Sequence, residues 1–109
     1  MNTEKFTQGE WLIEDQREMY DKVHNYAIVD EEGWYIAHIE NCTRMEEQEA
    51  NAALIAAAPE MYDRLKKTES DLLTIFNPNI SQQAKGRLVE IIIENINSVL
   101  EKARGKNDY

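Results

Sequence analysis

The chain has little of what marks several common protein classes. Of its 109 residues one is cysteine, Cys42, which excludes an internal disulfide and a cysteine-rich zinc site and suits a reducing compartment. Four glycines, Gly9, Gly33, Gly86 and Gly105, are too scattered to form a phosphate-binding loop, and two prolines leave no stiff linker. No apolar run approaches the roughly 18 residues of a membrane span. Met1 to Lys5 lack a basic segment leading into an apolar run, so no cleaved signal peptide is expected. Nor is there a basic excess: 12 Lys and Arg stand against 21 Asp and Glu, a net charge of -9. A negative field repels nucleic-acid phosphates, so direct binding of DNA or RNA is not expected.

What is there fits one domain, residues 1–109, since the length is too short for two independent cores. The charge is unevenly placed. Residues 1–49 hold 13 acidic and 4 basic side chains, whereas residues 50–109 hold 8 of each. The simpler reading is a solvated face that keeps the chain soluble. The functional reading is an acidic face that favours encounter with a basic surface.

The first part reads as strands. Trp11-Leu12-Ile13 is a short apolar run, followed by a polar connection over 14–22. Val23 to Val29 and Trp34 to Ile39 are rich in β-branched and aromatic residues. Between them Asp30-Glu31-Glu32-Gly33 suits a type I turn closed by a glycine bulge. The expectation is an antiparallel hairpin or three-stranded meander over about 10–40. Strict alternation puts Trp34, Ile36 and His38 on one face and Tyr35, Ala37 and Ile39 on the other.

The period then becomes helical. Thr43-Arg44-Met45-Glu46 has the spacing of a capping box, predicting a helix from about Thr43 to Ala58 with Ala50, Leu54, Ala57 or Ala58 and Met61 on its buried side. Pro59 cannot continue the hydrogen-bond ladder and suits the first turn of a new helix, which runs through Met61, Tyr62, Leu65, Leu72, Leu73 and Phe76 until Asn77-Pro78-Asn79 ends it. A last helix is expected over 81–104, with Leu88, Ile92, Ile96 (or Val99) and Ala103 at helical spacing and Val89, Ile93 and Leu100 widening the stripe. Ile91, Ile92 and Ile93 cannot share one side, so either the helix is sandwiched between elements of its own chain or a second subunit covers part of it, and self-association is the preferred expectation. Leu88, Ile92, Ile93 and Ile96 are the candidate oligomerisation residues of a homo-oligomer. The tail 105–109 should fray. The fold class is α+β, the strands followed by two or three helices.

No catalytic constellation emerges. His24 and His38 sit on adjacent predicted strands and, with Cys42, offer the elements of a zinc site, yet no ligand pair has a metal-site spacing; ordinary strand histidines are the preferred reading. Cys42 lies in acidic surroundings, which disfavour a thiolate nucleophile. Glu14, Asp15, Glu31, Glu32, Glu46, Glu47 and Glu49 fall in turns and helix starts, where acid–base catalysis lacks the buried member it needs. Glu46, Glu47 and Glu49 have a sufficient structural role against the macrodipole of the first helix. No enzyme activity, cofactor or metal is expected. The aromatic residues Trp11, Tyr20, Tyr26, Trp34 and Tyr35 suit sheet packing and equally suit interface anchors. Glu31, Glu32, Trp34, Tyr35, Glu46 and Glu47 are the candidate partner-binding residues.

The segment 49–62, EANAALIAAAPEMY, resembles a motif of small bacteriophage and prophage proteins, in which a run like NAxLIAAAPEM follows an N-terminal hairpin. Trp11, Val29-Asp30, Gly33 at the turn and Ile36-Ala37 match in style, so the resemblance covers about residues 10–67. It implies a phage accessory protein acting in the host cytoplasm. Such proteins often bind and block a host protein, including antiviral defence components such as CRISPR effectors, and no catalytic residues carry over. The expected partner is a host protein with a basic surface, not nucleic acid or a membrane. The alternative is a small oligomeric structural or regulatory phage protein whose charge serves solubility alone.

Overall fold

A computed structural model describes residues 4–17, 24–40 (His24 by its backbone) and 44–105. Three antiparallel strands, β1 (Leu12–Asp15), β2 (His24–Val29) and β3 (Tyr35–Glu40), form a sheet in the order β1-β2-β3. Three helices follow: α1 (Met45–Ala56), α2 (Ala58–Ile75) and α3 (Gln82–Ala103). This is the expected α+β meander with helices. The first strand reaches Asp15, two residues beyond the apolar run that announced it.

The hairpin turn forms as its residues dictate. The Gly33 N–H donates to the Asp30 carbonyl at 3.0 Å, and Gly33 takes a φ of 93° that favours glycine. The Asp30 Oδ1 accepts from the backbone N–H groups of Glu32 and Trp34, each at 2.9 Å. The aspartate thus fastens both ends of the loop, the Asx arrangement that explains its place before a turn.

Strict alternation fails on β3. Ile28 pairs with Ala37 while the next residue, Val29, pairs with Tyr35, so Ile36 is an extra residue in the ladder. Ile36 and Ala37 consequently both pack on the core, with Ile39 buried beyond them. Tyr35 turns to the opposite face, where its ring meets that of His38 at 4.6 Å between centroids. The expected grouping of Trp34, Ile36 and His38 against Tyr35, Ala37 and Ile39 is therefore corrected by this bulge.

The core lies between the sheet and α1, where Tyr26, Ile28 and Ile39 meet Ala52 and Ala56. Alanine on the helix lets its backbone come close to the strands. The buried side of α1 is Gln48, Ala52, Ala53 and Ala56; Ala50 is exposed, and Leu54 is 49% exposed, so the expected inward placement of those two is corrected. Gln48 takes the inward position because its amide oxygen accepts from Asn25 Nδ2 at 2.7 Å, which satisfies a buried polar group. α1 begins at Met45, with Arg44 at its N-cap and no side-chain hydrogen bond there. Thr43, the expected capping hydroxyl, lies outside the described residues, as do Tyr20, Val23, Cys42 and the tail beyond Gly105.

Ala57, the link between α1 and α2, is fully buried, and Pro59 sits in the first turn of α2, as its missing N–H requires. At the other end of α2 the Asn77 Oδ1 accepts from the Asn79 N–H. The Ser81 hydroxyl then caps α3 by accepting from the Ala84 N–H at 3.1 Å. The short turn makes α2 and α3 antiparallel. Arg64 reaches Asn95 midway, and Lys102 meets Glu60 at the base. This helical hairpin extends the molecule to 61 × 30 × 20 Å with a radius of gyration of 17.8 Å, well above the roughly 13 Å of a compact chain of this size.

The segment before β1 is tied to α2. Glu4 Oε1 accepts from Lys66 Nζ at 2.6 Å and from the Tyr62 hydroxyl at 3.0 Å, and Phe6 meets the Tyr62 ring edge-on at 4.9 Å between centroids. Lys66 and the Tyr62 hydroxyl hold the Glu4 carboxyl below its ordinary pKa.

Candidate functional site

The sheet has one face against α1 and one turned away from it. Register places Leu12, Val29 and Tyr35 in one row across this outer face, and Glu14, Ala27 and His38 in the next. Ala27 and Val29 are buried at its centre beneath the larger side chains. Gln16 follows Glu14 by two residues and so points the same way. Its amide Nε2 donates to Glu14 Oε1 at 2.7 Å and to the Tyr35 hydroxyl oxygen at 3.1 Å. The Tyr35 hydroxyl in turn donates to Glu14 at 3.4 Å.

Tyr35 is thereby held at both ends: its phenol by Glu14 and Gln16, its ring by His38. It is nonetheless 54% exposed, and Trp34 beside it is 72% exposed. Two large aromatic side chains on a fastened turn, with Glu31 and Glu32 exposed at the tip, make an acidic aromatic surface. A side chain held in the way Tyr35 is loses little further entropy when another surface packs on it. Glu14 and Gln16 were missed as site residues in the sequence. The signal was present as the period-2 spacing of Leu12, Glu14 and Gln16, but Tyr35 joins them only through the bulge at Ile36.

Glu46 and Glu47 are exposed in the first turn of α1 and do not join that cluster. β3 runs from the turn to Glu40, about 17 Å at an ordinary strand rise, before α1 begins. Its start lies by the His24 end of β2, where Gln48 meets Asn25. The six candidate contact residues therefore fall into two groups at opposite ends of the sheet.

The two histidines are not cross-strand partners. His24 pairs with Glu40, and His38 pairs with Ala27. The His24 side chain and Cys42 lie outside the described residues, and among those described no group of three His, Cys, Asp or Glu could hold a metal ion. Nor, among them, is any helix long and apolar enough to cross a membrane.

Near the far edge of the sheet, Asp15 accepts from the Arg17 Nε at 2.9 Å and from the Arg17 backbone N–H at 3.0 Å. These bonds lower the Asp15 carboxyl from 3.8 to about 2 and raise the arginine. The Arg17 guanidinium also lies 5.6 Å from the centre of the Tyr26 ring. Burial, and then the Glu49 charge, push the Tyr26 hydroxyl above its usual value.

Of the residues assigned to oligomerisation, Ile92 is 8% exposed and belongs to the packing of its own chain, with Leu88 partly buried beside it. Ile93 and Ile96 are exposed.

No curated protein and no solved structure matches the chain. A family model does, over residues 1–107, and so takes in the last helix as well as the 10–67 segment that carries the motif. The chain belongs to the family of Salmonella phage P22 protein Y8K6.

Proposed function

We propose that this phage protein acts by binding, without catalysis or a cofactor, and that its outer sheet face holds a host protein with a basic surface and modulates or inhibits it. An antiviral defence component, such as a CRISPR effector, is the kind of host protein the reading favours. The observation that carries it is the exposure of Tyr35, held on this face by Glu14 and Gln16, next in sequence to the exposed Trp34 of a turn fixed by Asp30, with Glu31 and Glu32 exposed at the turn's tip. Aromatic groups anchor such contacts, and the acidic surroundings steer a basic partner while repelling nucleic acid and anionic membranes.

The test is capture of a host partner from lysate, followed by kinetics on the purified pair. Reversing Glu31 and Glu32 to lysine should slow association and flatten its salt dependence. Trp34→Ala should chiefly speed dissociation. Binding unchanged by both would overturn the reading.

The second reading is a small oligomeric structural or regulatory protein, with its charge serving solubility. The exposed Ile93 and Ile96 favour it.

A further inference from the structure

The seam between α2 and α3 is more polar than the surface beside it. On α2 the residues turned to α3 are Arg64, Thr68, Asp71 and Ile75, all at least partly buried. On α3 they are Leu88, Ile92, Asn95 and Val99. One position further along each helix the order inverts. Leu65 and Leu72 stand exposed on α2 and Phe76, at 79%, at its C-cap, with Glu69 the interruption in their row. Val89, Ile93, Ile96 and Leu100 stand exposed on α3, at the four-three-four spacing of a coiled-coil seam.

Moving one residue along a helix turns the side chain by about 100° in a fixed sense. Because α2 and α3 are antiparallel, equal turns away from their shared seam bring both rows to the same side of the hairpin. They form one apolar face, closed at its base where Phe6 lies on Tyr62 and open beyond Leu65. We infer that this face is covered by the same face of a second copy of the chain, giving a two-fold dimer with a four-helix core.

Area and charge select that occupant. The rows Leu65–Phe76 and Val89–Leu100, on helices side by side, present a face about 17 Å long and about 20 Å wide. That is roughly 350 Å² in flat projection, and side chains that stand 39–79% exposed along it raise the accessible area towards the ~800 Å² per partner of a stable complex. Isolated subunits rarely expose continuous apolar patches larger than a few hundred Å². The acidic excess does not oppose the pairing, because residues 58–103 carry seven acidic and six basic side chains. Two like surfaces of near-zero charge meet without the repulsion that the sheet halves would bring. The contact is self-complementary, as a two-fold interface requires. It uses Ile93 and Ile96 but not Ile92, and it adds α2. It is independent of host binding and leaves the outer sheet face open.

Sedimentation equilibrium on the full chain, from about 1 to about 100 µM, reads the association directly. The wild type should sediment as a dimer. Leu72→Glu with Ile93→Glu should give a monomer with unchanged helical circular dichroism, while Trp34→Ala should remain dimeric. Should the double glutamate variant unfold, Ile93→Thr with Ile96→Thr replaces it and should weaken the dimer by more than about tenfold. A monomeric wild type across that range, or folded face variants as tightly dimeric as the wild type, would overturn the inference.

Discussion

Arg64 donates to the Oδ1 of Asn95 at 2.8 Å across the middle of the helical hairpin, and the Nδ2 of the same amide is buried with no hydrogen-bond partner among the described residues. The two helices are thus joined by a polar contact that satisfies half of one side chain. Arg64→Ala should lower stability by about 1–2 kcal/mol, because the amide then loses its bonded oxygen's partner as well. Leucine at both positions should recover that loss, since nothing polar is left to satisfy. Urea unfolding of the three proteins checks both statements.

The Asp15–Arg17 pair gives a pH signature. A carboxyl lowered from 3.8 to about 2 binds its proton less readily in the folded chain than in the unfolded one. Its contribution to stability is complete above about pH 4 and is lost as the pH falls through about 2. The Asp15 carboxyl carbon, followed by NMR, should titrate near the lower value. In Arg17→Ala the midpoint should rise towards the ordinary one but stop short of it, because the backbone N–H of residue 17 still donates to the carboxylate.

At the turn, no atom lies within 4 Å of where a Cβ on Gly33 would sit, so the obstacle to a side chain is its φ of 93°. Gly33→Ala should cost about 1–2 kcal/mol, and Gly33→Asn less, because asparagine tolerates this region. Asp30→Ala removes the acceptor of two backbone N–H groups and should loosen Trp34 as well as lower the melting temperature. Thermal melts and the Trp34 fluorescence anisotropy read these two effects separately.

Gln48 is 1% exposed and accepts from Asn25. Gln48→Leu leaves Asn25 with one bond fewer in a buried setting and should cost about 1–3 kcal/mol in chemical denaturation.

That residue also marks the limit of what the sequence discloses. Asp30 with Gly33, Pro59 and Asn77-Pro78 act locally, so the turn, the helix break and the end of α2 were legible from residue chemistry. The buried side of α1 was not. Alanines on most of its faces leave the helical wheel without contrast, and a glutamine occupies the inward position through a partner 23 residues away. The outer sheet face was half legible: Trp34 and Tyr35 stood out as aromatic residues, but the extra residue at Ile36 decides which side Tyr35 joins. On α3 the three isoleucines announced more than one covered side. Only the antiparallel placement of α2 shows that Leu65, Leu72 and Phe76 belong with Ile93 and Ile96.

On the proposed function, the outer sheet face at the hairpin end takes the host protein. Hydrogen exchange along the whole chain, free and bound to the captured host protein, tests it most directly. New protection is expected from Asp30 to His38 and in β1, with the start of α1 unchanged. Protection confined to the helices, with the strands exchanging as in the free protein, would contradict it.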